Sequence, residues 1–262
     1  MSELILERIK ENLEHLCLKG SFNGLDGVLK EAEEENLSYS EFLDRMLREE
    51  IDWRTDRRTQ TLLKMANFPF YKTIEDFDFS FQPLLPISTI KEMATLSFMP
   101  RKENLVFLGP PGVGKSHLAI AIGIKAIQAG RKVYFTDLEN LIRVLDENNH
   151  RRWSFLNKVS LLIIDEVGYC PMDRHKSHLF FKLISSKYEK QSLIITSNKS
   201  FREWAEVFQD EVLVTAILDR LLHHAIVINI RGQSYRVKDR QKELGNDKGE
   251  KDSLQGPESQ IQ

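Results

Sequence analysis

One eight-residue stretch constrains this chain more than any other. Residues 109–116 read Gly-Pro-Pro-Gly-Val-Gly-Lys-Ser, between the apolar runs 105–108 and 118–122. A G-x-x-x-x-G-K-S stretch between a strand and a helix is the pattern of a phosphate-binding P-loop. Its glycines let backbone N–H groups turn towards phosphate oxygens, and the helix N-terminus adds partial positive charge. The sequence therefore predicts a nucleotide-phosphate site here.

The residue types in this stretch indicate how it would hold a nucleotide. Lys115 would reach the terminal phosphates, and the Ser116 hydroxyl would ligate Mg²⁺. The alternative is a glycine-rich turn with a chance lysine, which the flanking apolar runs disfavour. The predicted nucleotide-binding residues are Gly109, Pro110, Pro111, Gly112, Val113, Gly114, Lys115 and Ser116.

A second signal is an apolar run that ends in two carboxylates. Residues 161–164 are Leu-Leu-Ile-Ile, and Asp165 and Glu166 follow them. A buried strand of this kind would deliver both acids to the sheet edge beside the P-loop. We expect Asp165 to hold Mg²⁺ through water and Glu166 to polarise the water that attacks the γ-phosphate. The alternative, a strand that ends in acids by chance, is weakened by its place about 50 residues after a P-loop.

Two further polar residues are candidates for the same chemistry. Asn198 follows the apolar run 193–196 and could position the attacking water, although Asn also favours ordinary turns. Arg220 lies in the apolar, helix-like run 216–222. It could reach the γ-phosphate of a neighbouring subunit as an arginine finger, or it could pair with Asp219 or another acid.

The cysteines and the histidine pair do not indicate a metal site. Cys17 and Cys170 are far apart and match no metal-ligand spacing, which is typical of free thiols in a reducing compartment. We expect His223 and His224 to lie on a helix, where neighbouring side chains point about 100° apart and cannot easily share one ion. A structural or interface role is therefore expected for this pair.

The apolar runs predict the fold class. Five continuous apolar runs separated by helix-like segments are typical of buried parallel strands in a three-layer α/β domain. The predicted strands are 105–108, 133–136, 161–165, 193–196 and 226–230. A helix before the first strand is predicted within 88–104.

The remainder of the chain suggests four regions. Residues 1–66 contain helical patterns over 2–18, 25–36 and 38–66 and predict a small all-α domain for partner or DNA interaction. The aromatic-rich linker 67–87 is expected to form an extended arm that docks on the next domain, near the nucleotide base. Residues 88–240 would be the ATPase domain, and the polar residues 241–262 a disordered tail.

Composition limits the function classes. The formal net charge of −2 and the pI of about 6.4 exclude a globally basic protein, so nucleic-acid binding would depend on local patches. The N-terminus lacks the order of a signal peptide, and no apolar run approaches the ~20 residues that span a bilayer. We therefore expect a cytoplasmic protein that does not enter membranes.

One basic patch is recognisable from helical spacing. Arg54, Arg57 and Arg58 share a helical face beside Trp53 and are candidates for phosphate contacts with DNA. The alternative is a solvated helix face in which these arginines pair with neighbouring aspartates.

Taken together, these motifs resemble the AAA+ ATPases of the helicase-loader branch, and more closely the IstB family of helper ATPases encoded beside the transposase in bacterial insertion sequences. The likeness extends over about residues 40–240. Besides the P-loop, the stretches that carry it are 73–79, 164–169, 196–204, 216–225 and 231–236.

The resemblance implies a function that spacing alone does not. IstB-type proteins bind ATP with Mg²⁺, self-assemble on duplex DNA, and recruit and stimulate a partner transposase. Lys115 and Ser116 match the Walker A pair, and Asp165 with Glu166 matches the Walker B pair. Asn198 matches sensor 1, and Arg220 matches an arginine finger that acts in trans.

The resemblance also bears on DNA binding and on the C-terminus. The segment 137–160 is longer than one crossover helix needs, and in the loader-like branch an extra helix here lines the DNA channel. Arg151, Arg152 and Lys158 are therefore candidates for phosphate contacts, the alternative being a solvated basic loop. Unlike the wider AAA+ pattern, the chain has no room for a helical lid between the last strand and the polar tail.

Two other functions are open at this point. A DnaC-type helicase loader would share the ATPase core and differ in the partner chosen by the N-terminal domain. A P-loop nucleotide kinase would need an arginine-bearing mobile lid, for which the sequence offers no segment, and Glu166 suits water better than a small-molecule acceptor.

Overall fold

A computed structural model describes residues 2–147, 150–169 and 171–235. These residues form two compact units, which divide between Lys64 and Met65. The predicted tail 241–262 and Cys170 lie outside the described residues, as does part of the segment 231–236.

The first unit is helical. Its helices are α1 (Ser2–His15), α2 (Lys19–Glu35) and α3 (Tyr39–Met65), whose last residue groups with the second unit. Its small core contains Leu25, Val28 and Met46. The N-terminus of α3 has the predicted capping box, in which the Ser38 backbone N–H donates to Glu41 at 2.8 Å.

The predicted start of α2 at residue 25 is wrong, because the helix begins at Lys19. Residues 19–24 include Gly20 and Gly24, which lower helix propensity. The helix forms there because α3 supplies its N-terminal cap: the Glu50 carboxylate accepts the backbone N–H groups of Gly20 at 2.7 Å and Ser21 at 3.1 Å. A distant residue thus sets the start of this helix.

The second unit contains the predicted alternation of strands and helices. In chain order, its elements are a 3-10 turn (Phe79–Phe81), α4 (Ile87–Ala94), β1 (Asn104–Leu108), α5 (Lys115–Gln128), β2 (Val133–Asp137), α6 (Leu138–Asp146), α7 (His150–Lys158), β3 (Leu161–Asp165), α8 (Arg174–Lys187), β4 (Ser192–Ser197), α9 (Trp204–Phe208), α10 (Glu211–Leu222) and β5 (Ala225–Asn229).

The sheet confirms the predicted fold class. Its five strands are parallel in the order β2-β3-β4-β1-β5, and each begins and ends within one residue of its predicted bounds. Val106, Leu162 and Ile195 point into one large apolar cluster with α6, α8 and α10. On the opposite face α5 crosses the sheet closely, where a Cβ at Gly123 would lie 2.8 Å from Ile163. The domain therefore has three layers.

The linker differs in part from an extended arm. Its start is bonded to Phe135 of the edge strand β2. The Ala66 carbonyl accepts the backbone N–H of Phe135 at 2.8 Å, and the Asn67 side-chain amide donates to the Phe135 carbonyl at 3.1 Å. Further on, the chain turns instead of extending, because Asp78 caps the 3-10 turn by accepting the N–H of Ser80. The linker is therefore a folded part of the second unit and not an extended arm throughout.

Of the residues after β5, where no lid was expected, the structure describes 230–235. Within the described residues, no helix combines the length and the apolar character needed to cross a membrane.

Candidate functional site

The strand order brings three chain segments together at one edge of the sheet. β4 lies between β1 and β3, so the carboxyl ends of all three strands are neighbours. The P-loop follows β1, Asp165 ends β3, and Asn198 follows β4. They line a cleft of ≈ 990 Å³. The Walker A and Walker B residues and Asn198 are therefore in one place.

The backbone of the P-loop requires glycine at two positions in particular. Gly112 and Gly114 have φ angles of +79° and +102°, which side-chain-bearing residues rarely adopt. A Cβ at Gly114 would lie 2.5 Å from the Phe77 ring, and one at Gly112 would lie 2.1 Å from Ser234 Oγ. Both glycines thus permit close contact between the loop and the segments that cover it.

Lys115 is the first residue of α5 and is held against the loop. Its side chain is buried, and its Nζ donates to the carbonyl oxygens of Gly109 at 2.7 Å and Pro110 at 2.8 Å. These bonds keep the ammonium group at the mouth of the loop, where a bound phosphate would meet it.

Ser116 and Asp165 meet as a magnesium site requires. The Ser116 hydroxyl donates to Asp165 Oδ1 at 2.9 Å, and Thr196 Oγ1 donates to the same oxygen. Hydroxyl and carboxylate oxygens are the ligands that Mg²⁺ prefers, so these residues fit the ion. Thr196 was assigned no role from the sequence, although its position at the end of an apolar strand was a visible signal.

Glu166 and Asp165 are adjacent but face different surroundings. Asp165 is buried, whereas Glu166 is exposed on the cleft and has a left-handed φ of +57°. Its backbone N–H donates to Thr196 Oγ1 at 3.0 Å. Because φ > 0 is uncommon for glutamate, this bond helps fix the turn that presents the Glu166 carboxylate to the cleft.

Asn198 carries an unusual polar atom. Its side-chain Oδ1 is buried and has no hydrogen-bond partner among the described residues, although the residue lines the cleft. A buried oxygen without a donor costs about 1–3 kcal/mol. That cost is offset when a ligand or its bound water supplies the missing hydrogen bond.

Aromatic residues cover the P-loop from the linker and from the segment after β5. The Phe77 ring lies 5.2 Å from His117, whose Nε2 is 2.8 Å from the Thr73 carbonyl oxygen. Burial lowers the pKa of His117, which favours the neutral ring. Tyr235 donates its backbone N–H to Gly112 at 2.9 Å and stacks edge-on against Phe81. Sequence reasoning gave none of these residues an individual role.

Arg220 is not in the cleft of its own chain. It does not line the cavity; its Nη1 donates to the Ala216 carbonyl at 3.0 Å, and its guanidinium lies 4.8 Å from the centre of the Phe181 ring. The expected pairing with Asp219 is therefore replaced by a backbone bond and a cation–π contact. Arg220 is therefore placed away from the P-loop of its own chain.

The three residues of the second unit that are predicted to contact DNA lie on one helix, α7, within the segment where an extra helix was expected. Arg151, Arg152 and Lys158 are exposed on α7, and Arg152 is 3.5 Å from Glu147. The last turn of α7 is held by α8, because buried Lys187 donates to the Leu156 carbonyl.

The arginines of the first unit are engaged with residues of that unit. Arg54 pairs with Glu50 at 2.6 Å, and the guanidinium of Arg57 lies 5.0 Å from the centre of the Trp53 ring. The acid that Arg54 meets is thus Glu50, one turn earlier and buried, and not one of the neighbouring aspartates named in the alternative interpretation. Arg58 lies on the same helix.

The expected position of His223 and His224 within a helix is wrong. α10 ends at Leu222, so His223 and His224 lie in the turn before β5. Their ring centres are 4.1 Å apart. The side chains therefore do not diverge as they would within a regular helix.

Comparison with known proteins adds to this geometry. A family profile described as IstB-like ATP binding protein matches residues 11–243. A Pseudomonas aeruginosa protein described as an ATP-binding protein of insertion sequence IS21 is 46% identical over 245 residues, which cover 92% of this chain and 90% of that protein. The corresponding protein of insertion sequence IS5376 from Geobacillus stearothermophilus is 46% identical over 239 residues, covering 89% and 95%.

Solved structures with a similar fold are also found. AMPPCP-bound DnaA from Aquifex aeolicus matches with a TM-score of 0.52 at 22% identity, over 68% of this chain and 56% of that one. A crystal structure of DnaI matches with a TM-score of 0.52 at 22% identity, over 62% of this chain and 89% of that one. At such identities the similarity concerns the fold alone.

Proposed function

The chain belongs to the family of IstB-like ATP-binding proteins, and on this basis we propose that it is an ATP-hydrolysing helper of a transposase. In this proposal the protein binds ATP and duplex DNA, self-assembles, and directs the partner transposase of its insertion sequence to target DNA. The observation that carries the ATPase part is the convergence of Lys115, Ser116, Asp165, Glu166 and Asn198 on one cleft.

Each residue of the cleft has a role in this proposal. Lys115 leaves its carbonyl partners and binds the terminal phosphates. Ser116 and Asp165 would hold Mg²⁺, which when bound would help to neutralise the charge on the phosphates. Glu166 accepts the proton of the attacking water. The side-chain amide of Asn198, whose Oδ1 has no hydrogen-bond partner among the described residues, orients that water or senses the γ-phosphate.

Arg220 supplies the link between hydrolysis and assembly. Since it lies outside the cleft of its own chain, it acts on the nucleotide of a neighbouring subunit. ATP bound between two subunits favours their association by mass action, because the assembled state holds it from both sides. Hydrolysis removes the γ-phosphate and weakens that association.

DNA binding is assigned to the exposed basic residues. Arg151, Arg152 and Lys158 on α7 contact phosphates without reading base sequence, and Arg57 and Arg58 of the first unit are further candidates. Arg54 contributes less, because Glu50 already holds its guanidinium. The affinity should therefore fall steeply with salt.

The proposal is tested by assembly on duplex DNA. Sedimentation with ATP or a non-hydrolysable analogue should yield higher-order assemblies, and Lys115→Ala should abolish them. Glu166→Gln should bind ATP and assemble but stop turnover. A protein that stays monomeric under all these conditions, or a Glu166→Gln variant with normal turnover, would contradict it.

The in-trans role of Arg220 has its own test. Arg220→Ala should bind ATP normally and lose turnover. Mixing it with Lys115→Ala should restore part of the activity, since one mixed interface joins an intact cleft to an intact arginine. Absence of restored activity, with mixed assemblies shown to form, would exclude the role.

The partner is tested by co-purification. A transposase encoded beside the gene should co-purify with the full chain, consistent with the insertion-sequence origin of the 46% identical relatives. Co-purification with a replicative helicase and not with a transposase would favour a loader function instead.

A further inference from the structure

We propose that Glu189, His223 and His224 form a binding site for a divalent transition metal of the zinc class. The three residues lie at the amino-terminal edge of the sheet, since Glu189 precedes β4 and the histidines precede β5. The ATP cleft is at the carboxyl-terminal edge. The site is therefore separate from the ATPase chemistry, and the proposal does not depend on it.

The side chains are already close enough to share one ion. One ligand atom from each residue lies within 4.8 Å of the others, and all three residues are exposed. A tetrahedral ion with ligands at about 2.1 Å places them about 3.4 Å apart. Exposed side chains can close the remaining gap by small rotations, without moving the backbone.

The backbone under the site is fixed by a buried asparagine. Asn104 Nδ2 donates to the Leu221 carbonyl at 2.9 Å, and its Oδ1 accepts the Leu193 N–H at 3.0 Å. Its backbone N–H donates to the His224 carbonyl at 2.7 Å. Asn104 thus joins the end of α10, just before the two histidines, to the start of β4, three residues after Glu189.

A neighbouring tyrosine orients one of the ligands. The Tyr188 hydroxyl lies 2.7 Å from His223 Nδ1. In the tautomer that carries the proton on Nδ1, this nitrogen donates to the hydroxyl and Nε2 is left as the metal ligand. Outer contacts of this kind fix ring orientation at metal sites.

The donor set selects the metal. Two imidazoles and one carboxylate suit Zn²⁺ and similar ions, whereas Mg²⁺ prefers oxygen ligands and retains water. Three protein ligands leave a position for water or a further ligand. Binding would tie the end of α8 to the turn after α10 and raise the unfolding temperature by linkage.

The test is a titration of the full, untagged chain with Zn²⁺ against a chromophoric chelator. A background with Cys17→Ser and Cys170→Ser removes competing thiols. We expect one equivalent of Zn²⁺ to bind, and His224→Ala and Glu189→Gln each to weaken binding at least tenfold. His178→Ala, an exposed histidine of α8 outside the cluster, is the matched control and should bind as the parent does.

A second pair of measurements separates ligation from structure. Saturating Zn²⁺ should raise the thermal midpoint of the parent but not of His224→Ala, while the metal-free proteins unfold at the same temperature. Tyr188→Phe should weaken binding by about tenfold, as losing an outer contact does. Equal Zn²⁺ affinity in the parent, His224→Ala and Glu189→Gln, or no binding to the parent, would overturn the proposal. ATP binding should be unchanged in every variant.

Discussion

Lys187 offers the sharpest quantitative test of the second unit. Its side chain is 1% exposed, and its ammonium donates to the Leu156 carbonyl and to Gln191 Oε1. Burial lowers the pKa of Lys187 from 10.5 to about 8. The bond from Lys187 to the Leu156 carbonyl caps the last turn of α7. The group should make the free energy of unfolding depend on pH between about pH 8 and 10.5.

The direction and size of the effect follow from proton linkage. Below about pH 8 both the folded and the unfolded chain keep the proton on Lys187, so this residue adds no pH dependence. Between about pH 8 and 10.5 only the unfolded chain keeps it, and the free energy of unfolding rises with pH. The whole shift corresponds to about 3 kcal/mol.

The assay is urea unfolding of the wild type and Lys187→Met at pH 7 and pH 10.5. A Trp53→Phe background restricts the fluorescence signal to Trp153 and Trp204 of the second unit. The stability of the wild type relative to Lys187→Met should rise by about 3 kcal/mol between the two pH values. Lys190→Met, which replaces an exposed lysine three residues after Lys187, is the control and should show no such change.

Two results would refute this reasoning. One is a difference between wild type and Lys187→Met that stays constant from pH 7 to 10.5. The other is a difference of the same size for Lys190→Met, since that would trace the effect to overall charge. Because Lys187 holds α7, Lys187→Met should also weaken DNA binding several-fold while ATP binding is kept.

Three further predictions concern single side chains. Gly114→Ala should lower ATP affinity at least tenfold by equilibrium binding, because φ is +102° and a Cβ would lie 2.5 Å from Phe77. Glu50→Gln should lower the unfolding free energy at pH 7 by about 2 kcal/mol, since the carboxylate caps α2 and pairs with Arg54. Although burial raises the pKa of Glu50, these contacts hold it below 4.5, so the loss should shrink as the pH falls below that value. Asn198→Ala should reduce ATP turnover at least tenfold and leave stability nearly unchanged or slightly higher, because it removes a buried oxygen that has no partner.

Much of the second unit follows from short-range sequence patterns. Strands buried on both faces, here β1, β3 and β4, must be apolar throughout, so their positions were predicted to within a residue. The edge strands β2 and β5 are less buried, but their apolar runs predicted them equally well. The P-loop was recognisable because its backbone needs glycine at Gly112 and Gly114 and a helix directly after it. Acids after β3 and an amide after β4 belong to the same edge once the strands are parallel.

Other features depended on residues far apart in the chain. The start of α2 requires Glu50, about thirty residues later, and local propensity opposes it. Thr196 gained a role only because β4 lies beside β3, where its hydroxyl reaches Asp165. The cation–π contact of Arg220 with Phe181 likewise depends on how α10 packs against α8.

The sequence by itself determined what this protein binds: a loop whose glycines and lysine suit a triphosphate, within a parallel α/β domain. Those properties reside in local backbone conformation and in the periodicity of apolar residues, which are written in neighbouring positions. Only the tertiary structure decided which side chains meet. It placed Arg220 away from its own P-loop, held α7 through Lys187, and brought His223 and His224 together beside Glu189. Such meetings depend on packing between distant segments, for which no local pattern exists.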